Sequence, residues 1–288
     1  MEVGVAIESQ DSLGEGPVWS PSEGALYWVD IDRQLLQRWD SVSGERKIWE
    51  MPSAIGSFAL RESGGCIVAL RTGLASLNLA TEEAIPIIDP EPDKAYTRFN
   101  DGKCDRQGRF WAGTMDEEYP NLRAALYRLD TDLSLHRLLD NIGISNGLGW
   151  SPDNRTFYYT DSVKHTIYAY DFDLDSGEIT HEKIFAQTPE AYVPDGLTVD
   201  SEGYVWSAKW DGWKIIRYAP DGHIDLEVQM PVQRPTSCTF GGSKMNLLYI
   251  TSARIDLSDD ELNSQPLAGN VFVIETRVKG IAEPNFLG

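Results

Sequence analysis

Six copies of one hairpin phrase, about 40 to 50 residues apart, and no sustained 3.6-residue apolar period predict an all-β fold, a six-bladed β-propeller. The phrase is a strand-like run, a tight polar turn and a second strand-like run. Its copies read GPVWS-PSEG-ALYWVD from Gly16, GSFAL-RESGG-CIVAL from Gly56, GKCD-RQG-RFWAGT from Gly102 and GLGWS-PDN-RTFYYTD from Gly147. The fifth is GLTVD-SEG-YVWSAK from Gly196, and a looser sixth is CTFG-GSKMN-LLYITS from Cys238. The turns use Ser, Pro, Asp, Asn and Gly, which supply positive φ or local hydrogen bonds to tight hairpins. Between the copies, LLQRWD (35–40), ALYRLD (125–130), TIYAYDF (166–172) and KIIRYA (214–219) supply further strands at the outer side of each blade. The run VFVIE (271–275) and the opening VGVAIES are expected to pair within one blade and close the ring. Residues 1–288 are thus read as one domain. A sandwich or jelly roll has no need of six similar hairpins at a blade-sized interval.

With 25 Lys and Arg against 45 Asp and Glu, the chain carries a formal charge of −20 and a pI near 4.5. Such a surface repels phosphate backbones, which argues against nucleic acid or an anionic membrane as partner. The opening MEVGVAIESQ has no basic stretch leading into a long apolar run, and the expected location is the cytoplasm. Cys66, Cys104 and Cys238 are odd in number and widely spread, and are read as buried thiols rather than disulfides or metal ligands. No GxSxG is present, and Ser145 in ISNG is expected to support its turn. The tryptophans of WDGW, Trp210 and Trp213, are expected in the core rather than as a sugar platform.

In a propeller the first strand of every blade lines the central channel, so equivalent positions before that strand meet at one mouth. Immediately before the glycine that opens each hairpin stand Glu15, Ile55, Asp101, Asn146 and Asp195, with Thr236 the looser sixth. Converging carboxylates repel one another unless a cation lies among them. All the candidate ligands offer oxygen, and none of His136, His165, His181 or His223 lies at a comparable position. The set therefore favours Ca²⁺, Mg²⁺ or Mn²⁺ over Zn²⁺. Singly, each Asp-Gly or Asn-Gly is an ordinary turn dipeptide; their shared register carries the reading.

As whole motifs, LGEGPVW, RFNDGKCD, GTMDEE, ISNGLGWS and YVPDGLTVD resemble the regucalcin, gluconolactonase and luciferin-regenerating-enzyme-like lactonase family, and TSARIDLSDDEL and QPLAGNVFVIE extend the resemblance toward the C-terminus. The resemblance implies a six-bladed propeller with one divalent metal ion, calcium, zinc or another, held by Glu15, Asn146 and Asp195. It implies that Asn100, rather than its neighbour Asp101, lies near the metal through water or substrate, as a substrate-binding residue. It also implies sugar-hydroxyl recognition by Arg98 and Glu118. In that reading the metal polarises a lactone carbonyl and lowers the pKa of a water. Asp195 or an adjacent carboxylate removes the proton, or a metal-bound hydroxide suffices, and Asp195 is assigned as ligand and catalytic base. The expected substrate is a small sugar lactone, hydrolysed to its aldonic acid. Two other readings use the same scaffold: a metal-dependent phosphotriesterase or arylesterase, and a non-catalytic propeller that binds calcium or a partner.

Overall fold

The computed structural model describes residues 1–118 and 121–288. Among these residues, 24 strands form six four-stranded antiparallel sheets, and the one helix is a single short one, Asp259–Ser264. The protein is an all-β, six-bladed β-propeller. The innermost strands of blades 1 to 6 are Gly14–Ser20, Ile55–Leu60, Thr97–Cys104, Ser145–Trp150, Val193–Val199 and Pro235–Gly241. The sixth blade is composite: its outermost strand is Val3–Ile7, paired antiparallel with Val271–Glu275. The two ends of the chain thereby close the ring, as the sequence led us to expect.

The core lies between the blades, not at the centre. Each sheet is covered on both faces by its neighbours, so middle strands such as Ala25–Asp30 and Cys66–Leu70 are buried at every position rather than at alternate ones. Between blades 3 and 4, Trp111 packs on Phe157 at 4.9 Å and on Trp150 at 5.5 Å. By contrast, the outermost strand of blade 4, Ile179–Gln187, is largely exposed. Placing apolar packing between the blades leaves the axial channel free for polar side chains.

Every innermost strand breaks register at the same level. The ladder skips between Glu15 and Val18, Ile55 and Ser57, Phe99 and Gly102, Asn146 and Leu148, Pro194 and Leu197, and Pro235 and Cys238. A β-bulge turns its side chains away from the regular alternation, here at one end of the channel. The repeated glycine serves this bulge rather than the hairpin turn. Gly16 adopts φ +51°, and a Cβ on Gly196 would stand 2.1 Å from Ser237 Oγ of the next blade.

At the opposite end, the hairpin turns of blades 3 and 5 share a staple. Asp105 accepts from the backbone N–H of Gln107 and Arg109, from Arg109 Nε at 2.6 Å and from Trp111 Nε1 at 2.8 Å. Asp200 is bound likewise by Glu202 and Tyr204 N–H, Trp206 Nε1 and Arg217. Residues 280–286 run across this end, bridging Gly280 to Asp200 and Phe286 to Arg61, while Glu283 pairs with Lys103 of the channel at 3.1 Å. The turn end of the channel is covered, and access is from the bulge end.

Candidate active site

Glu15, Arg98, Asn100, Asn146 and Asp195, drawn from blades 1, 3, 4 and 5, line one cavity of about 260 Å³ at the bulge end. The bulges bring Glu15, Asn100, Asn146 and Asp195 there, because regular strands would turn these positions toward the blade interfaces, while Arg98 reaches the cavity from the regular pairing just before its bulge. Asp101 is buried beside Asn100, and its charge acts on both Glu15 and Asp195, so it faces the channel without lining this cavity. Its bulge places two successive residues, Asn100 and Asp101, toward the axis, which the one-residue register of the repeat did not anticipate. Ile55 and Thr236 complete the ring; Thr236 is spent on Gly14 O at 2.6 Å and Thr251 at 2.8 Å.

A directed hydrogen-bond relay orients the amides. Arg98 Nη1 donates to Asn100 Oδ1 at 2.9 Å, Asn100 Nδ2 to Asn146 Oδ1 at 3.0 Å, Asn146 Nδ2 to Ser162 Oγ at 2.9 Å, and Ser162 Oγ to Pro194 O at 2.7 Å. With Nδ2 held by Ser162, the Asn146 oxygen is fixed on the other side, where one lone pair remains. Asn100 spends its oxygen on Arg98 and its nitrogen on Asn146 and Ser145 O, so it acts here as an orienting group.

The carboxylates are poorly compensated. Glu15 accepts from Gly16 N–H at 2.8 Å. Burial first, then the charges of Asp195 and Asp101, push its carboxyl well above the usual range. Asp195 is raised in the same way by burial and by Asp101, with only the Gly196 N–H and the more distant Lys209 opposing. Burial pushes Asp101 up to about 6 against the pull of Lys103. Burial lowers Arg98 to about 10 while Glu117 pulls it back, so the guanidinium stays charged at neutral pH.

Two buried carboxylates and an oriented amide oxygen, with no hydrogen-bonded cation among the described residues, suit a hard divalent ion taking oxygen ligands. They do not make an all-acidic cage: among the described residues, no group of three or more His, Cys, Asp or Glu side chains is gathered to hold a metal. Thiol chemistry has no place here, since all three cysteines are buried and free, and burial pushes Cys66 and Cys238 up to about 12.

Three features depart from the sequence reading. Glu118 does not line the cavity; its side chain is 64% exposed and pairs with Arg123 at 2.8 Å. Its neighbour Glu117 instead contacts Arg98 Nε at 3.5 Å and Arg71 Nη2 at 2.5 Å. Trp210 is not a core residue but stands in the cavity wall, with Arg234 4.8 Å from its ring centroid. Ser162 and the apolar wall of Leu13, Ile31, Met115 and Val163 went unnoticed, because they fall outside the repeated phrase or on its second strand. The only available signal for Ser162 was its place directly after the second strand of blade 4.

Residues 13–254 match the SMP-30/Gluconolactonase/LRE-like region family. Regucalcin of Gallus gallus is 39% identical over 284 residues, covering 96% of this chain and 95% of that protein. The 6-deoxy-6-sulfogluconolactonase of Pseudomonas putida is also 39% identical over 284 residues, covering 98% and 97%. Among solved structures, a calcium-binding regucalcin of Agrobacterium tumefaciens superposes with a TM-score of 0.95 at 28% identity, covering 99% of this chain and 97% of that one. With its propeller, its carboxylate- and amide-lined cavity and these relatives in agreement, the chain belongs to the SMP-30/gluconolactonase/LRE-like family.

Proposed function

We propose that this protein is a lactonase that opens a polyhydroxylated sugar lactone to its aldonic acid, with a divalent cation held by Glu15, Asn146 and Asp195. One observation carries the reading: two poorly compensated buried carboxylates and an oriented amide oxygen, from three blades, share a cavity with a charged guanidinium. A sugar-lactonase relative and a calcium-binding relative support it, and the all-oxygen donor set favours Ca²⁺. The bound ion would supply Lewis-acid polarisation of the ring carbonyl and a more acidic water.

The chain's own groups supply the rest. Water adds to the carbonyl carbon, Asp195 takes its proton, and the ring C–O bond breaks. The same proton then returns to the departing ring oxygen, giving a hydroxy acid with nothing left over. Arg98 donates hydrogen bonds to substrate hydroxyls, and Asn100 holds Arg98 and Asn146 in register. Leu13, Ile31, Met115 and Val163 cover the apolar face of the ring and keep bulk water out.

The test is a pH-stat assay of metal-stripped protein on a panel of aldonolactones, with Ca²⁺, Mg²⁺, Mn²⁺ and Zn²⁺ restored one at a time. Turnover that returns with an ion supports the reading. Folded protein that turns over no lactone with any ion overturns it, and turnover of phosphotriesters or aryl esters alone would replace it with an esterase of another class.

A further inference from the structure

We propose that Trp210, backed by Arg234, is the stacking wall of this cavity, taking a C–H face of the bound ring and rejecting ring epimers that carry a hydroxyl on that face. The inference rests on the lactonase reading and adds the residue that selects among substrates by the shape of the ring.

Three observations lead to it. Trp210 ends the second strand of blade 5, Val205–Trp210, and pairs with Val193, two residues before Asp195 on the innermost strand. That strand is buried up to Lys209; Trp210 alone is partly exposed, in the wall of the cavity that holds Glu15, Asn146 and Asp195. Among the described residues it is the one aromatic residue lining this cavity, the other apolar wall residues being Leu13, Ile31, Met115, Ile144, Val163 and Val193. Lastly, the indole is held from behind. Arg234, just before the innermost strand of blade 6, lies over it with Cζ 4.8 Å from the ring centroid. The guanidinium is itself fixed from two blades. Its Nε donates to Asp211 Oδ1 at 2.7 Å, an oxygen that also accepts from Gln233 Nε2 at 2.9 Å, and its Nη1 donates to Ile255 O. Trp210 therefore has a cation held against it on one side and presents the remainder to the cavity.

The chemistry of a lactone ring supplies the selection. A six-membered lactone whose hydroxyls are all equatorial projects C–H bonds from both faces, and such a patch packs on an aromatic face. Inverting one carbinol centre places a hydroxyl on one face only. Against the indole that hydroxyl loses its water and finds no hydrogen-bond partner. Neighbouring centres project to opposite faces, so inversions at C3 and at C4 put the hydroxyl on opposite sides of the ring. Whichever face meets Trp210, one of these two epimers is penalised and the other is not.

The test compares Trp210→Ala, Trp210→Phe, Trp210→Leu and Arg234→Met on glucono-1,5-lactone, its C3 epimer and its C4 epimer, with melting curves to verify folding. The wild-type protein is expected to separate the two epimers about tenfold or more in kcat/KM. Trp210→Ala should bring that ratio toward one and raise KM for glucono-1,5-lactone about tenfold, with kcat within about twofold, because the contact is made in ground and transition states alike. Trp210→Phe should keep part of the discrimination and Trp210→Leu, which has bulk but no aromatic face, should not. Arg234 is a positioning residue, and Arg234→Met should move KM and the epimer ratio in the same direction by less. Equal kcat/KM for the two epimers in wild type, a ratio unchanged in Trp210→Ala, or full rescue by Trp210→Leu would overturn the assignment. Calorimetric titration with a cyclic ether analogue of the lactone, lacking the carbonyl, reads the contact without turnover. Analogue binding that needs an aromatic residue at 210, in a protein that hydrolyses no lactone, would defeat the lactonase reading and keep this one. Lactonase activity with analogue binding and epimer ratio indifferent to Trp210 would defeat this one alone.

Discussion

Asp105, at the hairpin turn of blade 3, accepts Arg109 Nε at 2.6 Å and Trp111 Nε1 at 2.8 Å, whereas Asp195, at the bulge of blade 5, has burial and Asp101 raising its pKa and little to oppose them. Both are buried aspartates on or beside innermost strands, at opposite ends of the channel. At the turn end, each carboxylate is surrounded by donors and ties strand to strand. At the bulge end, carboxylates are brought together with each bound by one backbone N–H and without an ion pair among the described residues. Burying an unpaired charge opposes folding, so the second arrangement persists because six interlocked blades hold it, and it keeps affinity for a cation or a proton.

The sharpest way to break this contrast is to remove the carboxylate at each end. Asp195→Asn should fold normally, melt no lower than wild type without metal, and lose turnover about a thousandfold or more, measured as kcat on an aldonolactone. Near wild-type kcat would refute its role as base. Asp105→Asn should do the reverse. Chemical denaturation is expected to show a loss of about 3 kcal/mol, because Arg109 would be left buried with only carbonyl partners. An unchanged midpoint would mean that the staple contributes nothing.

Asp101 sharpens the comparison through pH. Its folded pKa of about 6 exceeds the ordinary 3.8, so the folded state holds its proton more tightly. The resulting stabilisation is complete below the unfolded pKa and is lost as pH rises through about 6. In metal-free protein, Asp101→Asn should therefore be more stable than wild type at pH 8, by about 1–3 kcal/mol, with the gap closing as pH falls through that window. A gap that does not vary with pH would contradict the burial account. The smallest effect is expected at Arg98: Arg98→Ala should raise KM for hydroxylated lactones about tenfold, with a lesser change for plain ones. Equal changes would remove hydroxyl recognition from Arg98.

The hairpin phrase made the blade count and ring closure legible, because each copy carries its own turn chemistry and apolar runs. Glu15, Asn146 and Asp195 were legible as a set only because the repeat aligns them. Their roles were suggested by the family resemblance, which also pointed to Arg98 and Asn100. Glu117 and Glu118 were not separable, since adjacent carboxylates at a strand end have identical local chemistry and differ only in whether Arg98 or Arg123 comes within reach. Trp210 was misread for a similar reason: a tryptophan at the end of a middle strand looks like core until the strand is seen to end at the cavity.

The sequence by itself determined the all-β class, the six blades, their closure by the first and last strands, and the acidic and amide register before each glycine. These follow from local turn preference and strand periodicity, which act within a few residues. Tertiary structure alone decided that the glycines serve bulges, that Asn100 orients while Asp101 faces the channel, and that Glu117 meets Arg98. Each depends on the distance between side chains of different strands, mostly on different blades, which no local preference encodes.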